Sequence, residues 1–92
     1  MIVRILGEGQ YRLDDAASAE LSPLDADLGA AVERDDETAF RAALNSALAL
    51  VRSAGALVPP ETLEPSDLIL PHGDASLTEV RKLLAEDGII LS

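Results

Sequence analysis

The sequence predicts a small α+β domain with an N-terminal β-hairpin, an antiparallel helical hairpin, a short extended segment and a C-terminal helix. Three observations predict this fold. First, apolar and mostly β-branched residues at the start of the chain are interrupted by glycines. Second, two later stretches on either side of an acidic run repeat apolar residues at helical spacing. Third, another stretch with helical spacing follows a capping sequence. The 92 residues are enough for one core and too few for two, so a single domain over residues 1–92 is expected.

The β-hairpin is expected from residues 2–6 and 11–13, two extended runs joined by a glycine-containing loop. Their alternation gives one polar and one apolar side, which suits a sheet covered by helices on one face. The polar side holds Arg4 and Arg12, and the apolar side holds Ile2 or Val3, Ile5, Tyr11 and Leu13.

The loop at residues 7–10, Gly-Glu-Gly-Gln, could in principle cradle a phosphate. A dinucleotide loop needs a third glycine where Arg12 stands and a helix after it, but a strand follows here. The other kind of phosphate loop needs Gly-Lys-Ser/Thr, which the sequence lacks. The loop is therefore interpreted as a turn whose glycines supply positive φ, with Glu8 and Gln10 in solvent.

The first helix is expected to begin at Asp14 and Asp15, which supply an N-cap and a favourable charge for the first turn. Its apolar residues recur at steps of three and four, at Leu21, Leu24, Leu28, Ala31 and Val32. Pro23 interrupts this helix, and an internal proline costs about 3 kcal/mol. Because Ser22-Pro23 would also suit the start of a new helix, we expect a kink or a restart there.

The acidic run at residues 33–37 is expected to form a turn, with Asp36 capping a second helix that ends at Gly55. The apolar stripe of this helix consists of Phe40, Ala43, Leu44, Ala47, Leu48 and Val51. Beyond an acidic linker at residues 59–65, the apolar run 68–70 is either an extra strand or an extended segment on the core. A capping box at residues 76–79 then opens the last helix, which Gly88 closes.

The charge balance excludes several kinds of partner. Seventeen acidic residues face seven basic ones, for a net charge of −10, and there is a single lysine. Such a surface repels phosphate backbones and anionic lipid, so neither nucleic-acid binding nor direct membrane docking is expected. The sequence contains no cysteine, so a disulfide, a thiolate metal site and a thiol nucleophile are excluded. It also shows no signal peptide and no membrane span, so the chain is expected in the cytoplasm.

Two clusters of polar residues are candidates for a catalytic or metal site. Asp25-x-Asp27 resembles the start of a calcium loop, but the glycine comes one position early and the twelfth residue is aspartate, so we interpret it as a solvated helix face. His72, near Asp74 and Ser76 in a Pro/Gly turn, is interpreted as an exposed loop histidine, since no nucleophile-elbow pattern accompanies it. We therefore expect no catalytic residue, no metal, no cofactor and no enzymatic activity.

The remaining candidates are surfaces for a partner. Tyr11 on the hairpin and the apolar tail Ile89, Ile90 and Leu91 are candidate contacts, although the stronger alternative is that Tyr11 caps the core and the tail packs under the last helix. A free edge of a two- or three-stranded sheet is a further candidate for strand addition.

Three blocks of the sequence resemble the PspA-associated protein family, called PspAA. They are the opening MIVRILGEGQYRLDD, LEPSDLILP at residues 63–71 and DASLTEVRKLLAEDGII at residues 74–90. The likeness runs along essentially the whole chain, and the opening block is its most specific element. Pro23 and the sequence PHGD at residues 71–74 depart from the pattern, and the second departure argues against a shared role for His72.

The resemblance implies a non-enzymatic accessory that acts with a PspA-type coiled-coil protein at the inner face of the cytoplasmic membrane, in the phage-shock response to envelope stress. A strongly acidic domain would reach the membrane only through that partner. Two alternatives stay open: a self-assembling module, for instance a homo-oligomer that buries its Leu/Ala stripes, and a small acidic protein that binds a ligand or a metal.

Overall fold

The computed structural model describes residues 1–62 and 64–87. Its elements follow one another along the chain as β1 (Ile2–Ile5), β2 (Gly9–Arg12), α1 (Asp15–Glu33), α2 (Glu37–Ala54), β3 (Ala56–Leu57), β4 (Leu68–Leu70) and α3 (Leu77–Asp87). This arrangement confirms the predicted α+β domain with its strand hairpin, its helical hairpin and its C-terminal helix.

The four strands form one sheet in the order β3-β2-β1-β4. The hairpin of β1 and β2 is antiparallel, and its turn places Gly7 and Gly9 at positive φ, as predicted. The run at residues 68–70, for which a strand and an extended segment were both expected, is a strand parallel to β1. The two-residue strand β3, which pairs antiparallel with β2, was not expected.

The two helices of the hairpin cover one face of the sheet. Val3 and Ile5 on β1 lie opposite Leu68 and Leu70 on β4, and all four side chains are buried. They join Leu13 and the apolar stripes of the helices in one aliphatic cluster. The rest of that cluster consists of Ala17, Leu21, Leu28, Ala31, Val32, Phe40, Ala43, Leu44, Ala47, Leu48, Val51, Ala75, Leu77 and Val80. The apolar side expected for the hairpin therefore faces the helices.

Helix α1 runs without a break from Asp15 to Glu33, so the restart expected at Ser22-Pro23 is wrong. Pro23 lacks the N–H that would bond the carbonyl of Ala19, one turn earlier. Both residues are exposed, so water can reach the carbonyl that loses its partner. Burial of Leu21 and Leu28 on the opposite side of the helix outweighs this loss.

Side-chain caps fix the starts of all three helices. The carboxylates of Asp14 and Asp36 accept hydrogen bonds from the N–H groups of Ala17 and Ala39, at 2.8 and 3.0 Å. The hydroxyl of Ser76 accepts from the N–H of Glu79 at 3.1 Å, which is the first half of the predicted capping box. Gly88, the predicted end of the last helix, lies outside the described residues.

The turn between α1 and α2 closes with an aspartate in the position that usually holds glycine. Asp35 has φ of 56°, and the N–H groups of Asp35 and Asp36 donate to the carbonyls of Val32 and Ala31. This is the Schellman pattern, in which the residue at positive φ is most often glycine. The carboxylate of Asp35 also reaches Arg81 on α3, at 3.2 Å, so this residue ties the last helix to the turn.

Candidate partner-binding surfaces

The outer face of the sheet, away from the helices, is crossed by residues 58–62 and 64–67, which we call the strap. Gln10 holds it: the side-chain amide donates to the carbonyl of Glu64 at 2.7 Å and to the hydroxyl of Ser66 at 2.8 Å. Gln10 is only 8% exposed, so its expected solvation is wrong. The reason is that Gln10 lies on the outer face beside Arg4, where a segment distant in sequence covers it.

Two further contacts secure the strap. The side chain of Arg12 forms an ion pair with the carboxylate of Glu64. The N–H of Ile2 donates to the carboxylate of Asp67 at 2.8 Å, and the N–H of Asp67 donates to the carbonyl of Ile2 at the same distance. Ile2 is buried as a result, although it lies on the outer face and outside the main aliphatic cluster.

Between the strap and the sheet lies an open groove of about 510 Å³, which we call the sheet groove. Its walls are mostly apolar and include Leu57, the most exposed large apolar residue described, with 62% of its surface accessible. The full set of lining residues is Arg4, Glu8, Gly9, Gln10, Leu57, Val58, Pro59, Pro60, Thr62, Glu64 and Pro65. An exposed apolar patch rimmed by polar groups is typical of a binding surface.

An ion pair stands at one end of the sheet groove. Nη2 of Arg52, on α2, lies 2.5 Å from Oε2 of Glu8 in the hairpin turn. The hydrogen bond from Arg52 holds the pKa of the Glu8 carboxyl below its ordinary value of 4.5. Partial burial of the carboxyl opposes this effect by raising the pKa. The charge of Arg52 and a hydrogen bond with the Tyr11 hydroxyl lower the pKa further. The same hydrogen bond raises the pKa of Arg52, so both groups stay charged at neutral pH.

The first candidate contact of the sequence, Tyr11, lies in β2 opposite Val3 and is half-buried against the aliphatic cluster. Part of its ring therefore packs against the core, and the rest is accessible to solvent. Ile89, Ile90 and Leu91 lie outside the described residues. A role for any of the four in binding stays a prediction. The sheet groove could not be predicted from local sequence patterns, because the strap contacts the sheet through residues distant in the chain.

The acidic motif Asp25-x-Asp27 is divided between two environments. Asp27 is exposed as expected, but Asp25 is only 5% exposed, so its expected solvation is wrong. Asp25 falls four residues after Leu21 and three before Leu28, on the stripe of α1 that faces the core. That spacing was visible in the sequence. Among the side chains that the structure describes, which end at residue 82 and omit residue 63, no group of three metal-ligating residues comes together.

His72 lies in the loop before α3, as predicted, but it is only partly exposed, with 46% of its side chain accessible. Its Nε2 lies 3.7 Å from a carboxylate oxygen of Glu79. The hydroxyl of Ser76 is engaged in the cap of α3. The side-chain contacts of His72 and Ser76 are therefore both made with the first turn of α3.

The outward side of the helical hairpin carries much of the negative charge. Helix α1 contains five acidic residues and no basic one, and Glu20 and Asp27 are both exposed, seven residues apart on one side of the helix. Most arginines are held by their own chain: Arg12, Arg52 and Arg81 pair with carboxylates, and Arg41 bonds two carbonyls. In the described part of the chain, no helix is long and apolar enough to cross a bilayer.

A comparison with protein-family models finds a match over residues 1–92 to the family described as PspAA, PspA-Associated protein. The match includes the strand hairpin, both hairpin helices, the strap and the last helix. Neither a curated protein nor a solved structure matches the chain.

Proposed function

This chain belongs to the PspA-associated protein family, and from that premise we propose that it is a non-enzymatic accessory that binds a PspA-type coiled-coil protein. In this role it adjusts the assembly or the membrane engagement of that partner during the phage-shock response to envelope stress. The observation that carries the proposal is the family match over residues 1–92, which covers both surfaces described above.

The charge of the domain supports an electrostatic contact. The net charge of the chain is −10. Arg12, Arg52 and Arg81 form ion pairs with carboxylates outside α1, so they do not neutralise the exposed carboxylates of α1. Those carboxylates are therefore available to a basic partner. A basic stretch of a coiled-coil helix would complement Glu20 and Asp27, which share one side of α1. Complementary charge of this kind mainly raises the association rate and selects the partner.

The same charge accounts for the proposed location. Anionic lipid at the inner face of the membrane repels an acidic surface, since attraction there needs clustered lysine and arginine. The domain is therefore proposed to be cytoplasmic and to reach the membrane only when its partner carries it there.

Light scattering after size exclusion tests the direct interaction, with the protein alone and mixed with the PspA-type protein of the same organism. We expect a co-eluting complex that weakens as salt is raised from about 50 to about 300 mM, because screening shortens the reach of surface charges. Separate elution at low salt and micromolar concentration would overturn the proposal. A defined oligomer of the lone protein would then favour the self-assembling alternative.

Charge reversal tests the face of α1. The double variant Glu20→Lys/Asp27→Lys should weaken the complex about tenfold, which corresponds to about 1.4 kcal/mol. The matched control is Glu61→Lys/Asp74→Lys, which changes the net charge equally at two exposed positions outside α1. Equal weakening by both doubles would show that only the net charge matters and would contradict a contact on α1.

Vesicle sedimentation tests the indirect route to the membrane. With vesicles of phosphatidylglycerol and phosphatidylethanolamine, the protein should sediment only in the presence of the PspA-type protein. Sedimentation of the protein alone would contradict the proposed location.

A further inference from the structure

We propose that the sheet groove holds an extended segment of the partner that carries an acidic and an aliphatic side chain. Arg4 would bind the carboxylate, and Leu57 with the prolines of the strap would cover the aliphatic side chain. The inference rests on the proposed function in one respect, namely that the segment belongs to the PspA-type protein.

The charges inside the groove favour an acidic group of the ligand. Both groove carboxylates are already held by arginines of the chain, Glu8 by Arg52 and Glu64 by Arg12. Arg4 is exposed on the central strand β1, and none of the ion pairs between described residues involves it. Arg4 is thus the groove cation available to an incoming carboxylate, and its planar fork suits a carboxylate with two parallel hydrogen bonds.

The walls of the groove favour an aliphatic neighbour. Leu57 exposes 62% of its surface, and Pro59, Pro60 and Pro65 are exposed beside it. Prolines hold φ near −65°, and the strap that carries them is fixed to the sheet by Gln10. The groove is therefore formed before a ligand arrives, which lowers the entropy cost of binding.

Arg4 and Leu57 contribute to the groove from different faces of the sheet. Arg4 pairs with Gln10 on the outer face, whereas Leu57 pairs with Tyr11, which lies opposite Val3 on the helix face. Leu57 therefore contributes to the groove from the edge strand β3, beside the prolines of the strap, and the aliphatic side chain of the ligand would lie at that edge.

The test uses the full chain and overlapping 15-residue peptides that cover the PspA-type protein. We expect the peptides that bind to lose affinity when their acidic residues are replaced by the corresponding amides. Arg4→Gln should weaken both peptide and full-length partner about fivefold, which corresponds to about 1 kcal/mol. Lys82→Gln, an exposed residue of α3, makes the same change in net charge and should alter binding less than twofold. Leu57→Ser should also weaken both interactions, and amide NMR shifts on peptide binding should centre on Arg4, Gln10 and Leu57.

The outcomes separate the two proposals. If the wild-type chain binds the full-length partner but Arg4→Gln and Leu57→Ser bind it equally well, the groove is overturned and the proposed function stands. If the wild-type chain does not bind the partner, the proposed function is overturned. The inference that the bound segment belongs to the PspA-type protein is then overturned as well. If Arg4→Gln instead abolishes self-association of the lone chain, the occupant is a second copy, and the inference about the partner is overturned.

Discussion

The side-chain amide of Gln10 lies 2.7 Å from the carbonyl oxygen of Glu64, a residue 54 positions later in the chain. This hydrogen bond, together with the one to Ser66, joins the second strand of the hairpin to the strap. The strap in turn buries Gln10 and forms one wall of the sheet groove. One neutral side chain therefore links the hairpin to the surface proposed for the partner.

Gln10→Ala should lower the free energy of unfolding by about 1–3 kcal/mol, because it leaves the carbonyl of Glu64 and the hydroxyl of Ser66 without their buried donor. Urea titration followed by circular dichroism measures this loss. Asn45→Ala, an exposed position on α2, serves as the control and should change the value by less than about 0.5 kcal/mol. If the two variants are equally stable, the strap does not depend on Gln10.

The strap should also become accessible before the rest of the domain unfolds. In Gln10→Ala, limited proteolysis should cut within residues 58–67 at a protease concentration that leaves the wild-type strap intact. Cleavage first within α1 or α2 would contradict a local effect.

The ion pair between Glu8 and Arg52 predicts a defined pH dependence. The pKa of the Glu8 carboxyl is lowered in the folded protein, mainly by the hydrogen bond from Arg52. Its contribution to stability is therefore fully present above the ordinary pKa of about 4.5 and is lost as the pH falls through the lower folded pKa. The advantage of the wild type over Glu8→Gln should be present at pH 7 and disappear as the pH falls below the lowered folded pKa of Glu8.

Unfolding of both proteins across that pH range, with the Glu8 pKa followed by carboxyl carbon NMR, checks this dependence. Because the pair is largely exposed, the difference should be small and should shrink in salt. A difference that grows as the pH falls would have the opposite sign and would contradict the lowered pKa.

Local chemistry in the sequence predicted most of the fold. The caps at Asp14, Asp36 and Ser76 and the positive φ of Gly7 and Gly9 depend on neighbouring residues, and the structure has them as predicted. Strand β3 could not be predicted in this way, because Ala56 and Leu57 are both exposed and two residues carry no alternation. The burial of Gln10 likewise depends on a segment 54 residues away.

Two differences have a local origin instead. Pro23 lacks a backbone N–H, which favours a helix boundary at this position. Burial of the apolar stripe of α1 outweighs that preference, so α1 continues through Pro23. Asp25 lies at a core-facing position that helical spacing already marks, and its acidic character led to the wrong expectation. In both cases packing over a whole helix outweighs the preference of one residue.

Arg41 is expected to position the loop that leads into α3. Its Nη1 and Nη2 donate to the carbonyls of Gly73 and Ala75, both at 2.6 Å, and its guanidinium lies over the ring of Phe40. Lysine keeps the charge but cannot offer this planar fork, so Arg41→Lys should cost about 1–2 kcal/mol of unfolding free energy. Arg34→Lys, at an exposed position, is the control and should be nearly neutral in the same urea titration. Equal stability of the two variants would show that a single charge suffices.

Gly55 is expected to resist substitution because of space, and its φ of −84° is one that any residue can adopt. A Cβ at this position would lie 2.5 Å from the carbonyl oxygen of Val51 and 3.0 Å from Cβ of Tyr11. Since one of these atoms belongs to the backbone of α2, Gly55→Ala should lower the free energy of unfolding by more than about 1 kcal/mol.

Gly73→Ala is the matched control, because a Cβ there would meet Leu48 at an ordinary distance of 3.6 Å. It should be neutral or stabilise the protein by up to about 1 kcal/mol, through the lower entropy of the unfolded chain. Thermal and urea unfolding of both variants check the comparison. If Gly55→Ala were as stable as Gly73→Ala, the end of α2 could shift away from β2, and the close approach of Gly55 to Tyr11 would not be required for the pairing of β2 with β3.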